Sequence, residues 1–374
     1  MAAQMNYVFV KIRTGEVLAE IPLEGVAITD RLPGAGVGDL RATWHMDSTG
    51  FDNDTVKTAM TPGLCYCIVE RNEAPEVSSQ GVPIWGGIVW SRTYQSQAKV
   101  VQLYCKSLVG YPYCRFMPDY VATGVDQLDI FRNLWNLMQG EAGSNLGVVV
   151  AGSYVTGAPV LASVDVAAND FKTYGDQFDD LANGDQGFDW HIEWTRTGGI
   201  YTPTLRAQSP TLGRPLTDDT LTFDYPGNIL NYWETDSCSD AGTNIVTMGV
   251  GQGDSMIAST VTRPDLIDAG YVRIDIAIQS KTSTDQASVD ALAVQQGVLH
   301  AMPVNTIKVQ VKADKAPAFG SWSLGDTAKL SLEDAWHSTR FEKVSRIVEY
   351  SYSPPESDQV EEVELIFEGV QNDS

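Results

Sequence analysis

Residues 84–105 read IWGGIVWSRTYQSQAKVVQLYC, and residues 341–367 read FEKVSRIVEYSYSPPESDQVEEVELIF. Each stretch holds an Ile-Val pair, a polar turn and a strand in which apolar and polar residues alternate. The alternating apolar residues are Val101, Leu103 and Cys105 in the first stretch and Val363, Leu365 and Phe367 in the second. Because successive side chains of a strand point to opposite faces, both stretches are predicted to be β-hairpins with one face on a core.

The repeated pattern predicts that one β-unit occurs twice in the chain. Such a duplication suits a protein that builds rings better than a protein that builds an active site. The alternative is that two unrelated hairpins share a pattern that is common among hairpins.

The composition is that of a globular protein with a strong acidic excess. The 374 residues include 48 acidic and 25 basic side chains, which gives a net charge of −23. Phosphate binding requires clustered cations, so this charge argues against a nucleic-acid binder. An acidic wall would suit a passage through which DNA moves without binding, and solubility alone is the alternative reason for the charge.

The sequence predicts neither a membrane span nor a secretion signal. No stretch approaches the roughly 20 apolar residues that cross a bilayer. The first residues, MAAQMNYVFVKIRTGE, alternate like a strand and lack the basic leader of a signal peptide. The five cysteines form no C-x-x-C pair, which favours a role as small buried side chains for most of them and a reducing site of synthesis.

Strand and turn patterns divide the chain into three predicted domains. Residues 1–111 and 216–374 contain short strands with turn residues every ten or so positions, which indicates a β-barrel or sandwich in each. Residues 112–215 form an α+β block between them. The predicted fold class is therefore mainly β with an α+β insertion, in which two related tube-type β-barrel domains flank the mixed block.

Three helices are predicted from apolar spacing and end signals. VDQLDIFRNLWNLMQ at 125–139 is amphipathic, and a shorter helix is expected at 174–182. The second β-rich domain contains one helix near 284–300, where Ser283 and Gln286 fit a capping box.

The strand DWHIEW holds the best candidates for chemistry. Asp189, His191 and Glu193 share one face, and a histidine between two carboxylates can bind a metal or act as a general base. The same alternation describes a strand with its Trp-Ile-Trp residues in the core and its charges in water. Side chains at i and i+2 of a strand diverge, so three such ligands seldom meet at one ion. We therefore assign no catalytic, cofactor-binding or metal residue.

The other motifs favour turns or packing over sites. Gly34, Gly36 and Gly38 lack the spacing of a dinucleotide loop, and the sequence DND at 52–54 lacks the glycine and glutamate of a calcium loop. The tryptophans that lie in alternating strands are more typical of cores or subunit contacts than of sugar platforms. They are Trp85, Trp90, Trp190 and Trp194.

The layout and several phrases resemble the tail hub proteins, or minor tail proteins, of long-tailed siphophages that infect actinobacteria. The phrases are WGGIVWSR…KVVQLYCKSLVGY, GFDWHIEW, VTRPDL at 261–266 and FGSWSLGDTAKLSL…RIVEYSY. They span most of the chain, and none is as specific as a metal-binding motif.

The resemblance implies a homotrimeric ring at the virion tail tip. Each subunit would supply two related barrels, so three subunits would present six to the hexameric tail tube, around a channel that DNA crosses during ejection. The implied partners are further copies of this chain, the tail tube or distal tail protein, and other tail-tip minor proteins. The resemblance implies synthesis in the host cytoplasm, no cofactor and no catalytic residue. It places the α+β block outside the ring. Because the chain ends at Ser374, soon after its last strand, we expect no appended lysin or host-binding module.

Two other functions remain open on the sequence. A tail-associated cell-wall hydrolase would need a cleft in which Asp189, His191 and Glu193 act. A host carbohydrate-binding module would need exposed tryptophans.

Overall fold

The computed structural model describes residues 3–34, 36–48, 50–73, 81–151, 154–155, 159–183, 187–216, 221–239, 241–280, 285–300, 304–355 and 360–368. The fold is mainly β, as predicted, and most strands belong to one sheet of 13 strands. Nearly all neighbouring strands in this sheet are antiparallel.

The described residues before 110 form strands and one short helix. They are β1 (Gln4–Lys11), β2 (Val17–Glu20), β3 (Glu24–Arg31), β4 (Asp39–His45), α1 (Asn53–Ala59), β5 (Cys65–Asn72), β6 (Val82–Gln95) and β7 (Val100–Ser107). Strands β1 and β2 form a hairpin that turns at Gly15, whose φ of 69° favours glycine. The helix α1 was not predicted: Asp52 caps it by accepting from the backbone N–H of Asp54 and Thr55 at 3.0 and 2.9 Å.

The middle block has the predicted α+β character. It contains β8 (Tyr120–Asp126), α2 (Gln127–Gly140), β9 (Val149–Val150), β10 (Tyr154–Val155), β11 (Leu161–Val166), α3 (Tyr174–Ala182), β12 (Asp189–Thr197) and β13 (Ile200–Ser209). Asp126 caps α2 by accepting from the Leu128 N–H at 2.8 Å, and a capping box at Thr173 and Asp176 begins α3. Both helices bury their apolar faces in one cluster with β12.

The C-terminal region returns to the large sheet after an insertion. It contains β14 (Thr222–Tyr225), β15 (Ile229–Ser237), β16 (Asn244–Met248), β17 (Ala258–Thr262), α4 (Pro264–Asp268), β18 (Asp275–Gln279), α5 (Gln286–Leu299), β19 (Val304–Lys312), β20 (Thr327–Leu332), β21 (Phe341–Tyr352) and β22 (Glu362–Phe367). The helix α5 confirms the one predicted near 284–300, although Ser283 of its expected capping box lies outside the described residues. Strands β16, β17 and β18 form a separate small sheet that contacts α5.

One five-strand arrangement occurs twice. Unit one has the sheet order β5-β6-β7-β4-β3, and unit two has the order β20-β21-β22-β19-β15. In both units the sheet order runs through the third, fourth, fifth, second and first strand of the unit, with all neighbours antiparallel. The predicted repeat is therefore present as a shared topology, and the small sheet with α5 is inserted between the first two strands of unit two.

The register of the two long hairpins is also the same. Val89 faces Cys105 and Ile347 faces Phe367, and one residue later each hairpin has a β-bulge, at Trp90 in β6 and at Val348 in β21. A bulge inserts one unpaired residue and bends its strand. The bulges show that Val89 is equivalent to Ile347, so the two Ile-Val pairs in the sequence are offset by one position.

The two units are joined edge to edge. The first strand of unit one, β3, pairs with β21 of unit two, from Arg31 opposite Glu349 to Ile28 opposite Tyr352. One hydrophobic core then extends across both units. The predicted closed barrels are not observed among the described strands, because the edge strand of unit one takes its neighbour from unit two.

A buried ion pair reinforces this junction. The Arg71 guanidinium of β5 donates to both carboxylate oxygens of Glu361, at 2.8 and 3.0 Å, and each of these side chains is 6% exposed. The Tyr352 hydroxyl donates to the same carboxylate at 2.5 Å, and the Arg71 guanidinium lies 5.7 Å from the Phe319 ring centroid. Because both charges are buried, removing either side chain would leave the other charge buried without a partner.

The middle block covers the opposite face of β5, at one end of unit one. Strand β5 is buried at every position, with Cys65, Cys67 and Val69 in the core of the two units and Tyr66 and Ile68 in the core of the block. The two cysteines therefore share one face of the strand. Strand β5 is therefore sandwiched between two cores.

We expect Arg71→Met to lower the free energy of unfolding by about 3–5 kcal/mol, because Glu361 keeps a buried charge without its cation. The double variant Arg71→Met/Glu361→Leu should lose less than the sum of the single variants, since it buries no charge. Urea unfolding of the chain measures both. The control Lys57→Ala removes an exposed pair with Asp54 and should cost less than about 0.5 kcal/mol; additive effects of the two junction substitutions would contradict the expectation.

Candidate functional site

The three sequence candidates lie on β12, on the face turned away from its apolar core. Trp190 and Ile192 are buried in the core of the middle block, so the predicted alternation is confirmed. Asp189, His191 and Glu193 occupy the other face, where β12 meets the large sheet.

Each candidate side chain has a different partner. Asp189 accepts from Arg346 of unit two at 2.5 Å and from the Leu212 backbone N–H at 2.9 Å. His191 Nε2 lies 3.3 Å from Asp30 Oδ1 of β3. Glu193 is paired with Arg206 on the neighbouring strand at 3.1 Å. The structure therefore turns the three groups to separate ion pairs instead of bringing them to one reacting atom.

A cleft of about 500 Å³ lies beside this face of β12. Its lining comes from β12, from β6 and from the loop before β20, and it includes His191, Trp85, Trp322 and Tyr350. Trp194 closes one side, where its indole N–H donates to the Gly86 carbonyl at 3.0 Å. A Cβ on Gly86 would lie 2.5 Å from the Trp194 ring, so only glycine allows this contact. The cleft is thus the seam between the middle block and the large sheet.

The electrostatics of the seam centre on His191. Burial disfavours the charged imidazole, but the attraction and hydrogen bond of Asp30, with a smaller attraction from Glu193, outweigh it and raise the pKa of His191 above 6.5. Burial, together with Asp30, also raises the pKa of Tyr350 well above 10.0, and its hydroxyl donates to the Ile84 carbonyl at 2.9 Å. His191 therefore connects the block to β3, and Tyr350 connects β21 to β6.

The seam offers little machinery for catalysis. Two of its carboxylates, Asp189 and Glu193, are held in ion pairs with Arg346 and Arg206 and are not directed at a common point in the cleft. Across the described ranges, no group of three or more His, Cys, Asp or Glu side chains is arranged to hold a metal ion. The ion pairs of this face instead connect β12 to β3, β13 and β21.

The sequence patterns did not predict that two strand edges of the large sheet are open. Among the described strands, β15 pairs only with β19 and ends the large sheet. Residues 91–95 of β6 pair with β7 on one side, whereas β5 reaches only to residue 88 on the other. Unpaired strand edges are templates for further strands. Nothing in the alternation of a strand indicates which of its edges is free.

The fold is similar to that of tail proteins of known structure, two of which come from prophages. A tail protein from Neisseria meningitidis MC58 aligns over 99% of this chain and 97% of its own, with a TM-score of 0.61 and 12% identity. The 43 kDa tail protein of prophage MuSo2 from Shewanella oneidensis aligns over 97% and 98%, with a TM-score of 0.60 and 11% identity. The prophage tail protein gp18 from Listeria monocytogenes EGD-e aligns over 96% and 94%, with a TM-score of 0.52 and 9% identity.

These similarities concern the fold, because the identities are too low to carry residue roles. No protein-family model matches the chain, and no curated protein is similar to it in sequence. In the part of the chain that is described, every helix is too short or too polar to cross a bilayer.

We expect Asp30→Asn to lower the pKa of His191, because the variant removes the anion that outweighs burial. The raised pKa of the folded state means that this pair stabilises the wild type fully below about pH 6.5 and that the stabilisation is lost as pH rises through the raised pKa. The unfolding free energies of wild type and variant should therefore differ most near pH 5.5 and converge at alkaline pH. NMR titration of the imidazole and urea unfolding at several pH values measure the two effects.

The matched control is Glu193→Gln, which changes a half-exposed carboxylate on the same strand. It should lower the pKa of His191 less than Asp30→Asn does, because Glu193 contributes less to raising it. An unchanged imidazole titration in Asp30→Asn would show that the pair does not form.

Proposed function

We propose that this chain is a structural protein of a bacteriophage tail, a hub at the tail tip in which three copies form a ring. The observation that carries the proposal is the pair of five-strand units with one topology and one register. That such a chain has the fold of phage tail proteins supports the same location.

Symmetry gives the physical reason for three copies. A ring of three chains with two equivalent units each presents six similar surfaces, and a hexameric tail tube presents six. A single-unit protein would need six copies for the same match. The proposed partners are therefore further copies of this chain, the tail tube or distal tail protein, and the other minor proteins of the tip. On this proposal each unit would act as one tube-type domain, with its edge strands paired to neighbouring units.

The polar face of the sheet supports a channel for DNA. On β4 and on residues 306–312 of β19 the side chains that point away from the core are half-buried or exposed, and two cations among them, Arg41 and Lys308, lie beside carboxylates. Arg41 lies 3.3 Å from Asp39, and Lys308 lies 3.2 Å from Glu364. Neutralised cations attract phosphate weakly, and the net charge of −23 repels it. DNA would pass such a wall without being held.

We place the middle block outside the ring, as the resemblance to tail hub proteins implies. It covers β1, β5 and β6 at one end of the sheet and leaves the polar face of β4 and β19 uncovered. We further propose domain limits at 1–111, 112–215 and 216–374, and a virion of the siphophage type with an actinobacterial host, from the phrases that resemble such hubs. We propose no catalytic role, because the three candidate side chains of β12 are held in separate ion pairs.

We expect the purified chain to have a particle mass of three times 40.7 kDa by light scattering, or to reach it as concentration rises. A concentration-independent mass of one or two chains would contradict the ring.

We also expect no release of soluble fragments from cell-wall preparations. Glu193 and His191 are the candidate acid and base of a hydrolase. Hydrolysis that Glu193→Gln abolishes without changing the circular dichroism spectrum would therefore show that the chain is an enzyme.

A further inference from the structure

We infer that neighbouring copies of this chain pair β15 of one copy with residues 91–95 of β6 in the next. This inference deepens the proposed ring and rests on it for the presence of a neighbouring copy. The pairing gives both open edges a partner, because the free edge of β15 in one copy pairs with the free edge of β6 in the next.

The template for this contact lies inside the chain. The first strand of unit one, β3, pairs with residues 349–352 of β21, which is the fourth strand of unit two. These residues follow the bulge at Val348, and they have β22 on their other side. A chain with two equivalent units therefore already contains one junction between a first strand and a fourth strand.

The equivalent surfaces of the opposite units are both open. Residues 91–94 of β6 follow the bulge at Trp90 and are equivalent to 349–352, but they have β7 alone as a neighbour. Strand β15 is the first strand of unit two and has β19 alone as a neighbour among the described strands. Repeating the internal junction between copies would pair both edges.

Equivalent positions on β3 and β15 follow from the strands beside them. The cations Arg41 of β4 and Lys308 of β19 face equivalent positions of the long hairpins, and they pair with Ala27 of β3 and Trp233 of β15. Two and three positions further along, both strands have a threonine and an aspartate: Thr29 and Asp30 in β3, Thr235 and Asp236 in β15.

Transferring the register puts compatible side chains opposite each other. Inside the chain Thr29 faces Ser351, with their hydroxyl oxygens 3.4 Å apart. Between copies Thr235 faces Thr93, so a hydroxyl pair is kept. Asp236 faces Arg92, which gives an acid opposite a base. Cross-strand hydroxyl pairs and opposite charges both stabilise antiparallel sheets.

The surface beside residues 91–95 is shaped to receive a strand. An open groove of about 490 Å³ separates this edge from α1, and it is lined by Trp44, Met46, Val56 and Tyr94. Tyr94 is 54% exposed, whereas its equivalent Tyr352 is 1% exposed beneath β3. Arg92 and Lys57 place positive charge on this groove, and the opposing edge of β15 is acidic at Glu234 and Asp236. Shape and charge therefore both favour a second copy as the occupant.

The first experiment traps the contact by disulfide formation. We place Thr93→Cys and Thr235→Cys in one chain, with the exposed Cys114 and Cys238 changed to serine. Oxidation should give covalent species of two and three chains on a non-reducing gel, with no larger species, because a trimer closes. Mixing the two single-cysteine chains should give covalent dimers only. The internal pair Thr29→Cys with Ser351→Cys should form within one chain and serves as the positive control.

The register is tested by an offset pair. Moving one cysteine two positions along the strand, to Gln95→Cys with Thr235→Cys, increases the separation to that of diagonal neighbours. This variant should cross-link at least several-fold less than the pair at 93 and 235. Equal yields from both pairs would overturn the proposed register.

The second experiment reverses the charges. Arg92→Asp and Asp236→Arg should each weaken association about tenfold or more by like-charge repulsion, and the double variant should recover most of the loss. Both residues are exposed, and each also makes one contact inside its own chain: Arg92 donates to the Lys57 carbonyl, and Asp236 accepts from Asn305 at 2.9 Å. Arg92→Gln and Asp236→Asn remove each charge without reversing it, and the melting temperatures of these variants measure what the internal contacts contribute. Arg13→Asp, in the exposed turn between β1 and β2, is the matched control and should leave the mass unchanged.

The outcomes separate this inference from the proposed ring. Trimers that form without the 93–235 disulfide and without response to charge reversal would overturn the pairing and leave the ring standing. The disulfide in species that grow beyond three chains would support the pairing and overturn the trimer. A chain that stays monomeric at every concentration and never cross-links would overturn both.

Discussion

The backbone pairing of β3 with β21 is the constraint on which the rest of the structure depends. It fixes the two five-strand units in one sheet and gives them one continuous core. A shift by one residue would turn Ile28, which is 1% exposed, toward the solvent face of the sheet. Three polar contacts hold the register: Arg71 with Glu361, His191 with Asp30 and Tyr350 with the Ile84 carbonyl. Buried charges tolerate few other alignments, so these contacts favour one register over its neighbours.

Local structure follows closely from the sequence because it depends on neighbouring residues. The alternation through Leu103 and Leu365 identifies both hairpins, and the caps at Asp126 and Thr173 place the starts of α2 and α3. Hairpin register needs more than alternation: a bulge such as that at Val348 adds a residue without changing which residues are apolar. The short helix α1 was missed because its seven residues give little periodicity, although its Asp52 cap was visible.

Long-range pairing could not be predicted for a different physical reason. Alternation states which face of a strand is buried, but both edges of every strand offer the same N–H and C=O groups. The neighbour of β3 is set by residues more than 300 positions away. The partners of the three candidate side chains could not be predicted for the same reason. Asp189, His191 and Glu193 share a face as expected, but their partners come from β3, β13 and β21, which no local pattern connects.

The same geometry that stabilises one chain leaves it incomplete. The internal junction uses the first strand of unit one and the fourth strand of unit two, so the first strand of unit two and the fourth strand of unit one are left over. Exposed edges of this length are aggregation sites unless a specific partner covers them. Closing a ring covers all of them with one kind of contact, whereas a linear array leaves two open. A duplicated unit therefore favours a closed assembly, and the opposed charges of Arg92 and Asp236 favour one register for it.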